Sequence, residues 1–245
     1  MMSLPKLNVP VYEAILPSTE SVIKYRPFLV KEEKILMTAM EAGDNATMQT
    51  AVKQIITNCV QEKINVNNLP TFDLEYLFLR LRAKSVGEEV TVGLQPWGCP
   101  QNEGKLCKFT TEVKINLEEI KVEKNKEHSN KIMLNDEIGV MMSYPNLDVM
   151  KQFKETASES EIGMKLMKDS ISMIFTEEET HERDSFSEEE LDDFIDSLTS
   201  DQFTKLKDFF DTMPQLKHVA KYTCNTCGEE KETTIQGLDS FFGSA

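Results

Sequence analysis

The chain of 245 residues carries 42 Asp/Glu against 27 Lys/Arg, a formal net charge of −15. That sign argues against nucleic acid as a partner, because binding a polyphosphate depends on Lys and Arg displacing its counterions. No run of about 18 apolar residues occurs, so no membrane span is expected. The start, Met1-Met2-Ser3-Leu4-Pro5-Lys6, lacks the apolar stretch of a secretory leader. The expectation is a globular protein of one large or two small domains, working in a cytoplasm where thiols stay reduced.

The first element reads as a hairpin. Val11 to Leu16 and Val22 to Arg26 are strand-like, and Pro17-Ser18-Thr19-Glu20-Ser21 supplies the turn. Three helices follow: Leu29 to Ala42, stopped by Gly43-Asp44-Asn45; Ala46 to Cys59; and Thr71 to Lys84, with Thr71 as the N-cap. The middle changes character. Glu89 to Gln95, Lys108 to Leu117, Lys131 to Leu134 and Glu137 to Ser143 read as strands. His128 lies in the charged connector from Glu123 to Asn130 and reads as a surface side chain. Helical spacing returns over Leu147 to Glu155 and Glu161 to Phe175.

An acidic segment comes next. Between Glu177 and Met213 there are 14 Asp/Glu and 3 Lys/Arg, a local balance of −11 out of the total of −15. Two helices begin there on capping-box pairs, Ser187 with Glu190 and Thr199 with Gln202. Leu191, Phe194 and Ile195 line one face of the first, and Phe203, Leu206 and Phe210 line one face of the second. This stripe packs the two helices together or is offered to a partner helix. The strands Leu216 to Thr223 and Glu229 to Ile235, and a short helical tail with Leu238, Phe241 and Phe242, complete the chain.

Cys224-Asn225-Thr226-Cys227-Gly228 sits between the last two strands. Two-residue spacing lets both thiolates reach one tetrahedral metal at about 2.3 Å, and such a site needs two more ligands. Cys99 and Cys107, in a Gly/Pro-rich connector also between strands, are the candidates, although their spacing is wider than that of a usual knuckle. Together Cys99, Cys107, Cys224 and Cys227 form a candidate four-cysteine site for structural zinc (Zn), with no open position for catalysis. A redox pair, disulfides and unligated thiols are the competing readings. The redox reading is weakened because the turn leads into the charged strand Glu229-Glu230-Lys231-Glu232 rather than a helix N-terminus. Cys59, on the apolar face of its helix, reads as core.

No catalytic frame is found. The three histidines, His128, His181 and His218, stand in no metal-binding or triad spacing, and no phosphate-binding glycine loop or nucleophile elbow occurs. Runs such as Glu177-Glu178-Glu179 read as solvated faces. The expectation is a non-enzymatic protein.

The fold class read from these elements is α+β. A hairpin plus helical region occupies residues 1–88. A zinc-stapled antiparallel sheet is built from 89–144 and 215–245, and a helical acidic insertion spans 145–214. Arg26, Arg80, Arg82 and Lys84 form the main basic cluster. They either meet an acidic partner or pair within the chain with Glu32, Glu33 and Glu75, and the intramolecular pairing is favoured.

Several ordered stretches resemble the baseplate hub assembly proteins of T-even-type phages. They are Leu4-Pro5, Tyr25-Arg26-Pro27-Phe28, Val30 to Leu36, Cys59, the run from Phe72 to Glu88, and the cysteine pairs. Met142-Ser143-Tyr144-Pro145 and Gly237 to Phe242 complete the set. The resemblance is thinnest over the acidic segment. It implies a tail morphogenesis factor that promotes assembly of the baseplate central hub in the host cytoplasm during infection. The implied partners are other baseplate hub or tape-measure proteins, with no nucleic acid and no membrane. A stoichiometric subunit of the virion baseplate is the alternative, and a zinc-ribbon regulator a weaker one, given the acidic flank of the cysteine turn.

Overall fold

The computed structural model describes residues 8–147, 149 and 158–238. The chain divides into two units. The first comprises Met1–Glu123 together with Gln215–Ala245, and the second is Lys124–Pro214, inserted between them. Both mix helices with small antiparallel sheets, so the fold is α+β. The inserted unit is therefore not helical alone. The sequence placed its start at residue 145, but β6 (Lys131–Met133) and β7 (Gly139–Met142) pair onward with β8 (Ile171–Phe175) and belong to it.

In the first unit, β1 (Tyr12–Ile15) and β2 (Val22–Tyr25) form the expected hairpin. Its two faces alternate as a half-buried sheet requires. Ala14, Leu16, Ile23 and Tyr25 are buried, while Ile15 and Val22, directly opposite each other, are exposed. The turn is anchored from a distance. Buried Asp73 accepts the Ser18 N–H at 3.0 Å and also the Ser18 hydroxyl.

Helix α1 (Val30–Ala42) ends at Gly43, whose φ of 69° is a left-handed conformation that glycine adopts without a Cβ penalty. Helix α2 (Asn45–Cys59) starts on Asp44, whose carboxylate accepts the Thr47 N–H at 2.7 Å. Helix α3 (Thr71–Ser85) has Pro70, not Thr71, at its cap position, and Thr71 is its first helical residue.

Helix α3 organises the core of this unit. Leu79 and Ala83 pack with Val92 of β3 (Glu89–Leu94), Ile115 of β4 (Thr111–Asn116), and Leu216 and Ala220 of β10 (Gln215–Thr223). Ile235 of β11 (Glu230–Gln236) joins the same cluster. Arg80, almost fully buried, donates to the carbonyls of Leu117 and Ile120 and pairs with Glu118 at 3.1 Å. It thereby fastens the turn between β4 and β5 (Lys121–Glu123).

The single middle sheet expected from sequence is in fact distributed. Among the described residues β3 and β4 form a two-stranded sheet, and the C-terminal strands join β5 in the order β11-β10-β5. Within that sheet Glu123 and Gln215 are register partners, so the chain leaves and re-enters the first unit at adjacent positions.

The basic cluster is paired inside this unit. Arg26 holds the fully buried Glu32 at 3.1 Å. Lys84 meets Glu88 and Glu118, and Arg82 donates to the Gly87 carbonyl. Intramolecular pairing thus holds, with Glu118 and Glu88 as partners beside the expected Glu32.

The second unit is a four-stranded antiparallel sheet, β6-β7-β8-β9, with α4 (Glu159–Ser170), α5 (Glu188–Asp196) and α6 (Ser200–Thr212). Its third strand lies where sequence periodicity predicts the end of a helix running to Phe175. The apolar spacing continues past Ser170, but Ile171-Ser-Met-Ile-Phe is β-branched and aromatic, and pairing with β7 overrides the helical period. The short edge strand β9 (Thr180–Glu182) is exposed throughout and carries no apolar signal.

Both expected capping boxes form, and a third joins Ser158 to Glu161. Leu191, Ile195, Leu206 and Phe209 are buried together with Leu134, Val140, Met142, Met167 and Ile171. Phe194, Phe203 and Phe210 pack against them. The apolar stripe of the acidic segment is therefore this unit's own core. The helix expected over Leu147 to Glu155 lies mostly outside the described residues. The tail residues Phe241 and Phe242 lie wholly outside them.

Candidate functional site: a cluster of four cysteine thiols

Two loops of the first unit build the site. The first joins β3 to β4. After β3 the chain turns at Gly98 (φ 72°), makes a short 3-10 turn over Pro100–Asn102, and turns again at Gly104 (φ 74°). The loop is cross-braced by its own backbone. Cys99 N–H donates to the Lys105 carbonyl at 3.1 Å, Gly104 N–H to the Cys99 carbonyl at 3.0 Å, and Cys107 N–H to the Pro96 carbonyl at 2.9 Å. The eight-residue spacing, long for a knuckle, is taken up by this tight fold-back.

The second loop is the turn between β10 and β11. Cys224 N–H donates to the Glu229 carbonyl and Gly228 N–H to the Cys224 carbonyl, both at 2.9 Å, with Gly228 at φ 73°. Two further bonds hold the loops together. Asn225 N–H donates to Thr111 Oγ1 at 3.2 Å, and Lys231 Nζ donates to the Gly98 carbonyl at 3.3 Å.

The result is that all four cysteines singled out from sequence come together. Cys99, Cys107 and Cys224 are buried in one cluster, with Cys227 packed against it. Cys107 Sγ and Cys224 Sγ are 3.7 Å apart. Cys99 is in side-chain hydrogen-bond contact with Cys107 and Cys227, and Cys224 with Cys227 and Cys107. All five cysteines of the chain are free thiols.

The electrostatics of the pairs differ. The Cys224 thiol is held well below its ordinary range, chiefly by backbone N–H groups of Cys227 and Thr226 aimed at its sulfur. The Cys99 thiol is pushed up, first by burial, although Gln101 N–H opposes the shift. Among the described residues, no group of three or more His, Cys, Asp or Glu side chains is set out as a metal-holding group. Cys59 is separate. It is buried in the helical region, and burial pushes its thiol up to about 11, as befits a core residue.

One constellation escapes the sequence reading. His128 is half-buried in the second unit, not on its surface. Its Nδ1 lies 2.9 Å from Thr212 Oγ1 and its Nε2 lies 3.0 Å from the Tyr144 hydroxyl. The ring stacks on Tyr144 and tilts against Phe209. Burial lowers its pKa below the ordinary histidine value. Its sequence neighbours are charged and its partners lie 16 and 84 residues away, so no local signal announces it.

Exposed large apolar residues concentrate in the first unit. Val9, Val11, Ile15 and Val22 lie on or beside the hairpin, and Leu29, Val30, Met37, Met40 and Val86 on or beside α1 and the end of α3. An open pocket of about 660 Å³ lies among Phe28, Leu29, Val30, Ser85 and Val86. No helix among the described residues is long and apolar enough to cross a membrane.

Residues 9–243 match a family model described as T4 bacteriophage base plate protein, which spans nearly the whole chain. No curated protein and no solved structure matches the chain.

Proposed function

This chain belongs to the T4 bacteriophage base plate protein family, and from that premise we propose that it promotes assembly of the baseplate central hub as a non-enzymatic factor. It has a structural or assembly role in the phage baseplate, among other baseplate proteins. The finer reading is that of a transient assembly chaperone for hub or tape-measure proteins, acting in the infected host's cytoplasm.

The observation that carries the reading is the family match over residues 9–243. The distribution of apolar surface supports it and suggests where a client would dock. An assembly factor must present sticky surface while staying soluble by itself. The exposed hairpin face and the exposed residues of α1 supply the first. The acidic run from Glu177 to Met213 supplies the second, since charge opposes self-association. Because the apolar stripe of α5 and α6 is buried in its own unit, the docking surface is assigned to the first unit instead.

The second reading, a stoichiometric subunit that stays in the virion, shares this fold and surface and differs in fate. Quantitative mass spectrometry of purified virions beside infected-cell lysate separates the two. Abundance in lysate with absence from virions is the expected result. A fixed copy number per virion would retire the chaperone reading in favour of the structural one.

A further inference from the structure

We propose that Cys99, Cys107, Cys224 and Cys227 bind one structural zinc ion as four thiolates, and that this ion is the clasp joining the two separated chain segments of the first unit. The geometry carries the argument. Four sulfurs at about 2.3 Å from a tetrahedral ion stand about 3.8 Å from one another. Cys107 Sγ and Cys224 Sγ, which come from loops on opposite sides of the insertion, are 3.7 Å apart. Cys99 is buried in the same cluster and Cys227 packs against it, so all four sulfur-bearing side chains converge on one place. A disulfide requires about 2.05 Å, so the Cys107–Cys224 separation is too long for a bond and fits the spacing of two ligands on one ion. The described residues show no ligand sphere set out in advance. Thiols joined by S–H contacts become one when their protons leave. Binding forms four Zn–S bonds and releases to solvent the protons that the thiols still carry.

The surroundings suit the charge that results. A divalent ion with four thiolates carries two net negative charges. Backbone N–H groups of Gln101, Thr226 and Cys227 point at sulfur. Lys231, with its side chain largely buried and its ammonium paired with Glu229 at 2.6 Å, stands beside Cys227 and Cys99 and ties β11 to the Gly98 carbonyl. It is a positioning residue for the site, acting on the thiolates through charge and on the first loop through that bond.

The test uses the full chain, purified without chelator. Metal analysis is expected to give one zinc per chain. Replacement by cobalt is expected to give the intense sulfur-to-metal charge-transfer bands and visible bands of a tetrahedral four-thiolate centre. Cys107→Ser and Cys224→Ser should lose the ion, whereas Cys59→Ala should keep it. Lys231→Met should bind zinc about tenfold more weakly with the four-thiolate spectrum unchanged. Should the cysteine variants fail to fold, the wild-type cobalt spectrum alone decides. A chain that takes up neither zinc nor cobalt, or whose cobalt spectrum shows fewer than four thiolates, would overturn the proposal. So would a disulfide among the four cysteines in protein kept reduced.

Discussion

The two units of this protein hold themselves together in opposite ways. The inserted unit is continuous in sequence, and its helices announce themselves locally through Ser158/Glu161, Ser187/Glu190 and Thr199/Gln202. The first unit is assembled from two distant chain segments. It depends on long-range devices: Asp73 holding the hairpin turn, Arg80 holding the β4–β5 turn, and cysteines from both segments meeting in one cluster. The comparison teaches that local signals can place the helices of a unit that is continuous in sequence. A discontinuous unit instead needs polar and sulfur chemistry to make its register unique.

This contrast can be broken in order of effect. The largest effect is expected from metal. If zinc clasps the first unit, stripping it with a chelator should destabilise β10, β11 and the cysteine loops. Hydrogen exchange should rise there and stay slow at Leu191 and Leu206. Exchange unchanged in the sheet after verified metal loss would contradict the clasp.

Next, Leu206→Ala removes a fully buried side chain from the second unit and should cost about 3 kcal/mol. Denaturant melts of the full chain read this directly, and a cost under about 1 kcal/mol would mean the core there is loose.

A smaller, pH-dependent effect belongs to His128. Its folded pKa is lowered by burial, while the unfolded value is about 6.5. Its contribution to stability is therefore complete above pH about 6.5. It is lost as pH falls below that value, because the unfolded chain takes up a proton that the folded unit resists. Melting curves from about pH 8 to about pH 5 should show this slope, and His128→Gln should flatten it. An equal slope in both proteins would assign the effect to carboxylates instead.

The smallest effect is Ser187→Ala, which removes one cap and should cost about 1 kcal/mol. The thermal midpoint of the second unit reports it.

Much of the architecture is readable from the sequence, for stateable reasons. The hairpin, α1 to α3 and the capped acidic helices follow from periodicity and end signals that act within a few residues. The four cysteines are identifiable as a set because tight turns between strands have a recognisable composition. What stays hidden depends on partners. Nothing in Lys131 to Ser143 says that those strands pair with Ile171–Phe175 rather than with β3 and β4. Ile171 and Ile174 keep a helical spacing even though they lie on a strand. The three-residue strand β5 and the polar strand β9 are too short or too hydrophilic to show alternation.

The pairing of Glu123 with Gln215 has a consequence in polymer terms. An unfolded segment of residues 124–214 imposes a wide closure on β5 and β10. Once that segment has folded, its two ends stand side by side and the closure shrinks to that of a hairpin turn. With closure entropy growing as the logarithm of loop length, the difference amounts to about 3 kcal/mol. A guest that folds first would then act as a preformed short loop for its host.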